Sequence, residues 1–600
     1  MKRSLRNAMQ PVAKRTRSHY PQLLTGLVTK KRTIFIPWIA ATKTRNYFFN
    51  NHLVDWLKLY GGRQRSNSVG NLHGENTFTD YIKKKGIDFE TKVVGLISKK
   101  LPVFSVSDVY NTLQVEKTIE YMKQGVPIIH SAPLSNKKNK TYGIADLLVR
   151  SDYLNQLVDV PIDLPDARAT KLNTDYYYVV IDIKYQTLKL KSDGLHLLNN
   201  NSIRAYKAQT WIYNQALGNI QGYTPSCAYI LGRRWNYTSK REKFCNNSCF
   251  NKLGIIDFEN VDKFISMQIK FALQWNRQVI KHGAKWSLNP PSRSELYPTM
   301  GIDSGYYNKF KKSFANDLGE LTMLWQCGVK HRKIALENGI NSWKNPNCNS
   351  AALGIYGSYA PIIDKIITIN QKKDIIKPAI IVNNMGGWKT HVPTELYVDF
   401  ETFNDICQSF ESLPIQRRFS KIFLIGVGWL NNGTWHYKKF ICKDISNQEE
   451  CRVLLEFKKF INDKGNPPLF YWHAEKNFWK QSINSNSYIT SLQKTKLLSV
   501  LDLNWIDMCK VFKQEPIVIK GCFGFGLKEI AKNMIKHNLI STQLEADCTN
   551  GMTAMIRAWQ CYKKYEQPIS APIMLDIIKY NEFDVKVLCE IMIYLRNNHV

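Results

Sequence analysis

The stretch YYYVVIDIKYQTL, Tyr176 to Leu188, sets a carboxylate and an ammonium inside a run of aromatic and β-branched residues. Side chains alternate along a strand, so Asp182 and Lys184 share one face while Val179, Ile181, Ile183 and Tyr185 share the other. Apolar neighbours on both sides mark this strand as largely buried. Opposite charges in a core are costly unless they are paired or bound to something. The chemistry that uses such a pair is cation binding by the carboxylate, with the lysine steadying charge on a phosphate.

Neighbouring segments supply more groups of this kind. GIDFETKVVGLI has a helical pattern and carries Glu90, and TYGIADLLVRSDYL places Asp146 in a strand-like run after a glycine turn. After the Asp-x-Lys strand comes the helix IRAYKAQTWIYNQAL, where Gln209 and Tyr213 are four apart and share a face, with Tyr206 one turn earlier. Two converging carboxylates bind a hard cation such as Mg²⁺ or Mn²⁺, which polarises a phosphodiester and lowers the pKa of an attacking water. Taken singly, an Asp-x-Lys is more often a solvated edge pair and a Gln–Tyr pair a surface hydrogen bond. Their order along the chain is what gives them weight.

Helical Glu, Gly-x-x-Asp, buried Asp-x-Lys and Gln-x-x-x-Tyr in that order resemble the RecB-like branch of the PD-(D/E)XK nucleases, over residues of about 80–235. The resemblance implies a restriction-endonuclease-like mixed sheet flanked by helices. By it, Asp146 and Asp182 are metal ligands and Lys184 is the catalytic lysine. Glu90 matches the family's helical acid, and Gln209 and Tyr213 match its final motif. The following strand, YILGRRW, offers Arg233 and Arg234 to phosphates. More residues separate Asp146 from Asp182 than a hairpin needs, so an insertion is expected there.

A second acidic face follows in ELYVDFETFND, where Asp399 and Glu401 lie two apart on a strand. KIFLIGVGW reads as an antiparallel neighbour. PLFYWHAEKNFW then brings Glu475, LNWIDMCKVF brings Asp507, and GCFGFGLKEIAKNM is a turn leading to a helix. In IIKYNEFDVKVLCEIMIYLR, Tyr580 and Asp584 lie one helical turn apart on one face. Asp-x-Glu, a middle acid and a helical Tyr-x-x-x-Asp resemble the DEDD exonucleases, over residues of about 395–600. That implies an RNase H-like mixed sheet with helices, two metal ions on Asp399, Glu401, Glu475 and Asp584, and Tyr580 positioning the attacking water. Asp507 is a further candidate near the metals. The family's middle acid is usually Asp, whereas this chain offers Glu475, and WHAEKNFW also reads as an aromatic core segment.

Between the two sets, DLGELTMLWQCGVKHRKIALENGINSWKNP resembles a helix-hairpin-helix, whose turn amides and adjacent Lys330 would bind backbone phosphate. Gln326 stands where the hairpin's first glycine is usual. A helical linker packing Leu321, Leu324 and Ile334 is the equal alternative.

Composition agrees with a polyanion as partner. The chain has 600 residues and a formal net charge of +34, with 44% apolar and 22% charged residues. That is a folded protein of several domains, and its charge attracts nucleic acid. No apolar run is long enough to cross a bilayer, so a membrane partner is not expected. All 13 cysteines lie at or after Cys227, and without a signal peptide they read as reduced thiols in an intracellular protein. Cys245 and Cys249 have no second pair at ligand spacing. The acid-free first twenty residues would touch phosphates or direct nuclear import, so nucleus and cytoplasm both stay open.

The expected organisation is α/β multidomain. A basic, partly disordered arm (1–75) precedes the RecB-like domain (76–290). A small helical region (305–350) and a connector (351–392) lead to the RNase H-like exonuclease domain (393–600). The whole resembles predicted RecB-family nucleases carrying such a C-terminal domain. Its implied activity is metal-dependent hydrolysis of DNA, single-stranded or with ends, in repair, recombination or replication. No G-x-x-x-x-G-K-[ST] motif is present, so unwinding would need a helicase partner. The alternatives are a nucleic-acid-binding or assembly protein with inactive sites, and an RNA-processing exonuclease.

Overall fold

The β-branched runs become two mixed sheets in the computed structural model, which describes residues 36–61, 78–200, 202–543, 546 and 550–600. Residues 1–35 and 62–75 of the expected arm lie outside the described residues. What lies between them is not an arm. Ile39–Ala40 (β1) pairs in parallel with a strand of the first sheet, and the helix Leu53–Tyr60 (α1) buries Leu53, Trp56 and Leu57 against Trp275, Val279, Leu296 and Phe314. From Trp38 to Val600 the chain is one compact unit, built from two lobes.

The N-terminal lobe adds β2 (Val103–Ser105), β3 (Ile128–Asn136), β4 (Thr141–Arg150), β5 (Tyr178–Lys189), β6 (Cys227–Ser239), β7 (Glu242–Asn246) and β8 (Gly254–Asp257). They run in the order β2-β3-β4-β5-β6-β7, with β1 beside β4 and β8 beside β6. β5 is central, antiparallel to β4 and parallel to β6, so Tyr178 to Ile183 are all buried. The connection from Arg150 to Tyr178 contains the 3₁₀ turn Ser151–Gln156 and is the expected insertion. On one face of β5 the helix Phe78–Ile97 (α2) seats Phe89 with its ring 5.4 Å from that of Tyr185. On the other, the helix Ile203–Gln221 (α3) places the Tyr206 ring 5.4 Å from Lys184 Nζ. The helix Ile265–His282 (α4) closes the lobe beside α3.

The segment around Lys330 departs from the helix-hairpin-helix expectation. Its second helix is Val329–Glu337 (α5), but where the first should be there is one 3₁₀ turn, Leu321–Met323. The preceding helix ends at Leu318, because Gly319 adopts a left-handed conformation (φ 65°) that stops it. Leu321 and Leu324 are buried, as is Ile363 from the helix Ala360–Gln371 (α6). These side chains, with Trp388, share a core with Ile506, Phe512, Ile519 and Leu588. Residues from about 321 to 392 are therefore part of the C-terminal lobe rather than a free linker.

That lobe contains β9 (Ile376–Lys377), β10 (Leu396–Asn404), β11 (Ser420–Asn431), β12 (Thr434–Ile441), β13 (Leu469–Tyr471), β14 (Trp505–Asp507) and β15 (Val518–Ile519). The main sheet has the order β12-β11-β10-β13-β14, with β10, β11 and β12 antiparallel and β13 and β14 parallel to β10. Leu396, Val398 and Phe400 pack on one side against the helix Asn447–Asp463 (α7) and against Trp479 of Glu475–Ser485 (α8). The helices Leu527–Lys536 (α9), Gly551–Lys564 (α10) and Pro572–His599 (α11) complete the lobe; Phe403 packs with residues of α10 and α11. Alternation thus leaves Asp399 and Glu401 facing α11.

The lobes interlock through the loop after β10. Phe410 and Leu413 enter the N-terminal core, the Cys249 amide donates to Pro414 O at 2.9 Å, and the Gln416 amide donates to Asn247 O at 2.8 Å.

Candidate active sites

In the N-terminal lobe the ladder pairs Leu147 with Ile181, so Asp146 and Asp182 face each other where β4 and β5 begin to part. Asp182 is fully buried, and Lys184 Nζ lies 2.7 Å from its Oδ2 and 3.3 Å from Asp146 Oδ2. The Ile183 amide also donates to Asp146 Oδ2, at 2.7 Å. Asp182 Oδ1 accepts no hydrogen bond, and Oδ2 is held by the Lys184 ion pair. Burial raises the Asp182 pKa, and the Asp146 charge adds to this against the pull of Lys184. Burial would lower Lys184, but the two carboxylates outweigh it and keep the ammonium charged.

α3 covers this group. Gln209 Nε2 donates to the Tyr213 hydroxyl at 2.8 Å, and the buried Tyr213 feels both carboxylates. The glycine of Gly-x-x-Asp has a steric reason: a Cβ at Gly143 would run into the Tyr213 ring. The structure thus brings together Asp146, Asp182, Lys184, Gln209 and Tyr213. Glu90 is not with them. Its Oε1 pairs with His130 Nε2 at 3.4 Å, and the register of His130 with Leu147 sets that pair on the Ile181 face of the sheet.

Arg233 and Arg234 are also elsewhere. Both guanidiniums pair with Asp405, Arg233 at 3.2 Å, and each reaches Thr187 Oγ1 through its Nε. Arg234 is buried, donating as well to Gln416 O. These two cations fasten the lobes together through Asp405. Lys330 stands exposed in the first turn of α5.

In the C-terminal lobe Glu401, Glu475 and Asp584 are buried and Asp399 is half-buried. Their charges act on one another. Burial first, then Asp584, raise the Asp399 pKa to about 8. Glu401 is raised well above the carboxylate range by burial, with Asp399, Asp584 and Glu475 contributing. Glu475, the first residue of α8, is raised by burial and by Asp399. Burial also raises Asp584, against the pull of Lys528. Asp507 caps the helix that follows β14, accepting from the Lys510 amide at 3.2 Å, while its Oδ2 is buried without a hydrogen bond. Tyr580 is buried, with Lys528 Nζ 3.5 Å above its ring and 3.6 Å from Asp584 Oδ2.

Two residues here carry no motif that marks them in the sequence. Asn581 Nδ2 donates to Asp399 Oδ2 at 2.6 Å and to the Asp399 carbonyl at 3.2 Å, while Tyr437 donates to its Oδ1 at 2.8 Å. Asp399 is paired across the sheet with Gly426, where a Cβ would collide with Asn581 Oδ1. Lys528 is the other. Their signals are faint: Asn581 adjoins Tyr580, and Lys528 follows the glycine turn.

The donor chemistry suits hard cations, since buried carboxylate oxygens without a hydrogen bond include Asp182 Oδ1 and Asp584 Oδ1. Among the described residues no three His, Cys, Asp or Glu side chains are already closed around one point. Among them, too, no helix is long and apolar enough to cross a membrane.

No curated protein matches the chain. Residues 406–596 match the RNase_H_2 model of the RNase H superfamily, a span that starts just after β10. With three antiparallel strands followed by two parallel ones, the C-terminal part of this α/β protein is an RNase H-like domain.

Proposed function

We propose that the protein is a divalent-metal-dependent nuclease that hydrolyses phosphodiester bonds of DNA, with one centre in each lobe. The observation that carries this reading is the C-terminal group of Asp399, Glu401, Glu475 and Asp584. Burial raises the pKa of all four acids, and the neighbouring carboxylates add to it at Asp399, Glu401 and Glu475, against the pull of Lys528 at Asp399, Glu401 and Asp584. A set of buried carboxylates whose negative charges are disfavoured in this way gains most from a divalent cation. These four would hold it in the C-terminal lobe, and Asp146 with Asp182 in the N-terminal lobe. Mg²⁺ or Mn²⁺ bound there supplies polarisation of the phosphodiester and an activated water.

The remaining side chains bind and orient. Lys184 offers a fixed positive charge to the phosphate oxygen on which charge builds, and Gln209 with Tyr213 braces the strand that carries it. Asn581 fixes the Asp399 carboxylate, and Lys528 screens Asp584 beside Tyr580. A central strand with buried Asp-x-Lys, an acid opposite and a covering Gln-x-x-x-Tyr helix supports the PD-(D/E)XK assignment of the N-terminal lobe. Repair, recombination or replication is the setting, with strand opening left to a helicase partner or to existing ends, and nucleus and cytoplasm both open.

The test is hydrolysis of labelled single- and double-stranded DNA and RNA with Mg²⁺ or Mn²⁺. Wild type would be compared with Asp182→Ala, Asp399→Ala and the double variant. Wild-type cleavage of DNA that each single variant reduces supports two working centres. No cleavage of any substrate by wild type overturns the enzyme and leaves a nucleic-acid-binding protein. Cleavage undiminished in Asp182→Ala assigns the activity to the RNase H-like domain, and cleavage of RNA alone makes it an RNA-processing exonuclease.

A further inference from the structure

Apart from both carboxylate centres, a cleft of about 280 Å³ opens where α2 meets α10. One wall, from the N-terminal lobe, carries Asp80, Tyr81, Lys84, Lys85 and Asp88; the other, from the C-terminal lobe, carries Trp559, Gln560 and Lys563. None of these residues belongs to either acid set.

Lys85 is the informative member. It is only 8% exposed, and its ammonium, which has three donors, meets one acceptor among the described residues, the Gln408 carbonyl at 2.7 Å. Otherwise it faces rings, those of Phe410 at 4.8 Å and Tyr81 at 5.9 Å. Burial pulls its pKa down and the charge of Lys563 pulls it further, and Asp88 offsets this only in part. Lys563 itself sits 5.0 Å over the Trp559 ring. Asp80 and Asp88, four residues on either side of Lys84, line the same wall at its exposed rim. Three lysines against two carboxylates leave this aromatic-walled cleft a positive excess that a bound anion would offset. A polymer with a phosphate beside a stacking surface meets both walls.

The location adds to this. Lys85 is one helical turn from Phe89, whose ring lies against Tyr185, the neighbour of Lys184. Gln408 lies three residues beyond Asp405, on the loop leaving the strand of Asp399 and Glu401. The cleft therefore belongs to the joint between the two centres.

We infer that this cleft is an anion subsite gripping a backbone phosphate of a polynucleotide that touches both lobes. The inference rests on the proposed nuclease activity for the identity of the polymer only.

It is tested by fluorescence anisotropy of a labelled oligothymidylate with the full chain, in EDTA, at several salt concentrations. Wild type is compared with the exposed pair Lys84→Ala/Lys563→Ala. A second pair, Lys459→Ala/Lys480→Ala, removes equal charge from exposed positions of α7 and α8. The cleft variant is expected to bind about tenfold more weakly. The slope of log K against log salt should shrink by about 0.7 for each single-strand phosphate that the variant no longer neutralises. The control pair should leave both unchanged. Unaltered binding in the cleft variant, or an equal fall in the control, overturns the subsite. Cleavage is not read, so the two proposals fail separately. Weakened binding with a wild type that cannot cleave leaves the subsite standing, and normal cleavage with unaltered binding removes the subsite alone.

Discussion

The Tyr185 hydroxyl donates a hydrogen bond of 2.6 Å to the main-chain carbonyl of Asp405. Tyr185 adjoins Lys184, and Asp405 lies four residues beyond Glu401, so one contact joins β5 to the turn that leaves β10. Arg233 and Arg234 reinforce it through the Asp405 carboxylate. These contacts tie the strand of Asp182 and Lys184 to the segment that follows the strand of Asp399 and Glu401.

That joint predicts a stability defect separate from chemistry. Asp405→Ala leaves two largely buried guanidiniums without their carboxylate, which costs about 3 kcal/mol. Tyr185→Phe removes one hydrogen bond, about 1 kcal/mol. Urea unfolding of the full chain checks the order, Asp405→Ala well below Tyr185→Phe. Equal midpoints for Asp405→Ala and wild type would show that the ion pairs contribute nothing.

Lys184→Ala isolates the lysine from the metal. Asp146 and Asp182 remain, so Mn²⁺ binding should persist while cleavage assigned to the N-terminal centre falls by about 10²–10³-fold. Calorimetric Mn²⁺ titration alongside single-turnover cleavage reads both. Cleavage at the wild-type rate would reduce Lys184 to a structural counter-ion.

Asn581 and Gly426 should behave as one unit. Asn581→Ala frees the Asp399 carboxylate, and Gly426→Ala displaces the Asn581 side chain from its place. Each is expected to weaken metal binding in the C-terminal lobe by about 10–100-fold, the usual cost of losing a residue that orients a ligand. The double variant should cost no more than the worse single one. Additive losses in the Mn²⁺ titration would mean that the two act independently.

The acids of the C-terminal lobe also set a pH dependence. In the folded chain the Asp399 pKa is raised from 3.8 to about 8. Between those values the folded state keeps a proton that the unfolded state has lost, so this contribution to stability is present below the lower value and fades as pH rises. In EDTA, Asp399→Asn should therefore melt higher than wild type at pH 8, and the gap should close toward pH 4. Mg²⁺ should stabilise wild type most at the alkaline end, because it replaces the lost proton. A gap that widens toward acid pH would reverse the sign and exclude Asp399 as its source.

Alternation and helical period carried much of the candidate chemistry. Asp182 and Lys184 share a face because β5 is a strand, and Asp399 and Glu401 because β10 is one. Gln209 with Tyr213 and Tyr580 with Asp584 are neighbours by one helical turn. Glu90 rests on the family resemblance alone; a helix period does not say which face of a distant sheet its helix will cover, and Glu90 pairs with His130. The same local rules built a helix before Lys330 that Gly319 cuts short. Residues 305–350 and 351–392 read as a small helical region and a connector because their apolar runs are short, and the partners of residues 321–392 lie more than a hundred residues away in β14, α11 and the segments between.

By itself the sequence determined which residues stand side by side on one strand or one helix turn, since those distances follow from backbone geometry alone. Only the tertiary structure decided what each of them meets across space. Arg233 and Arg234 meet Asp405 some 170 residues away, Asn581 meets Asp399 across 182 residues, and Lys85 faces Lys563 across the joint of two lobes. Such pairings carry no period. They arise when two separately buried faces are packed together, and the cost of leaving a buried charge alone then selects its partner.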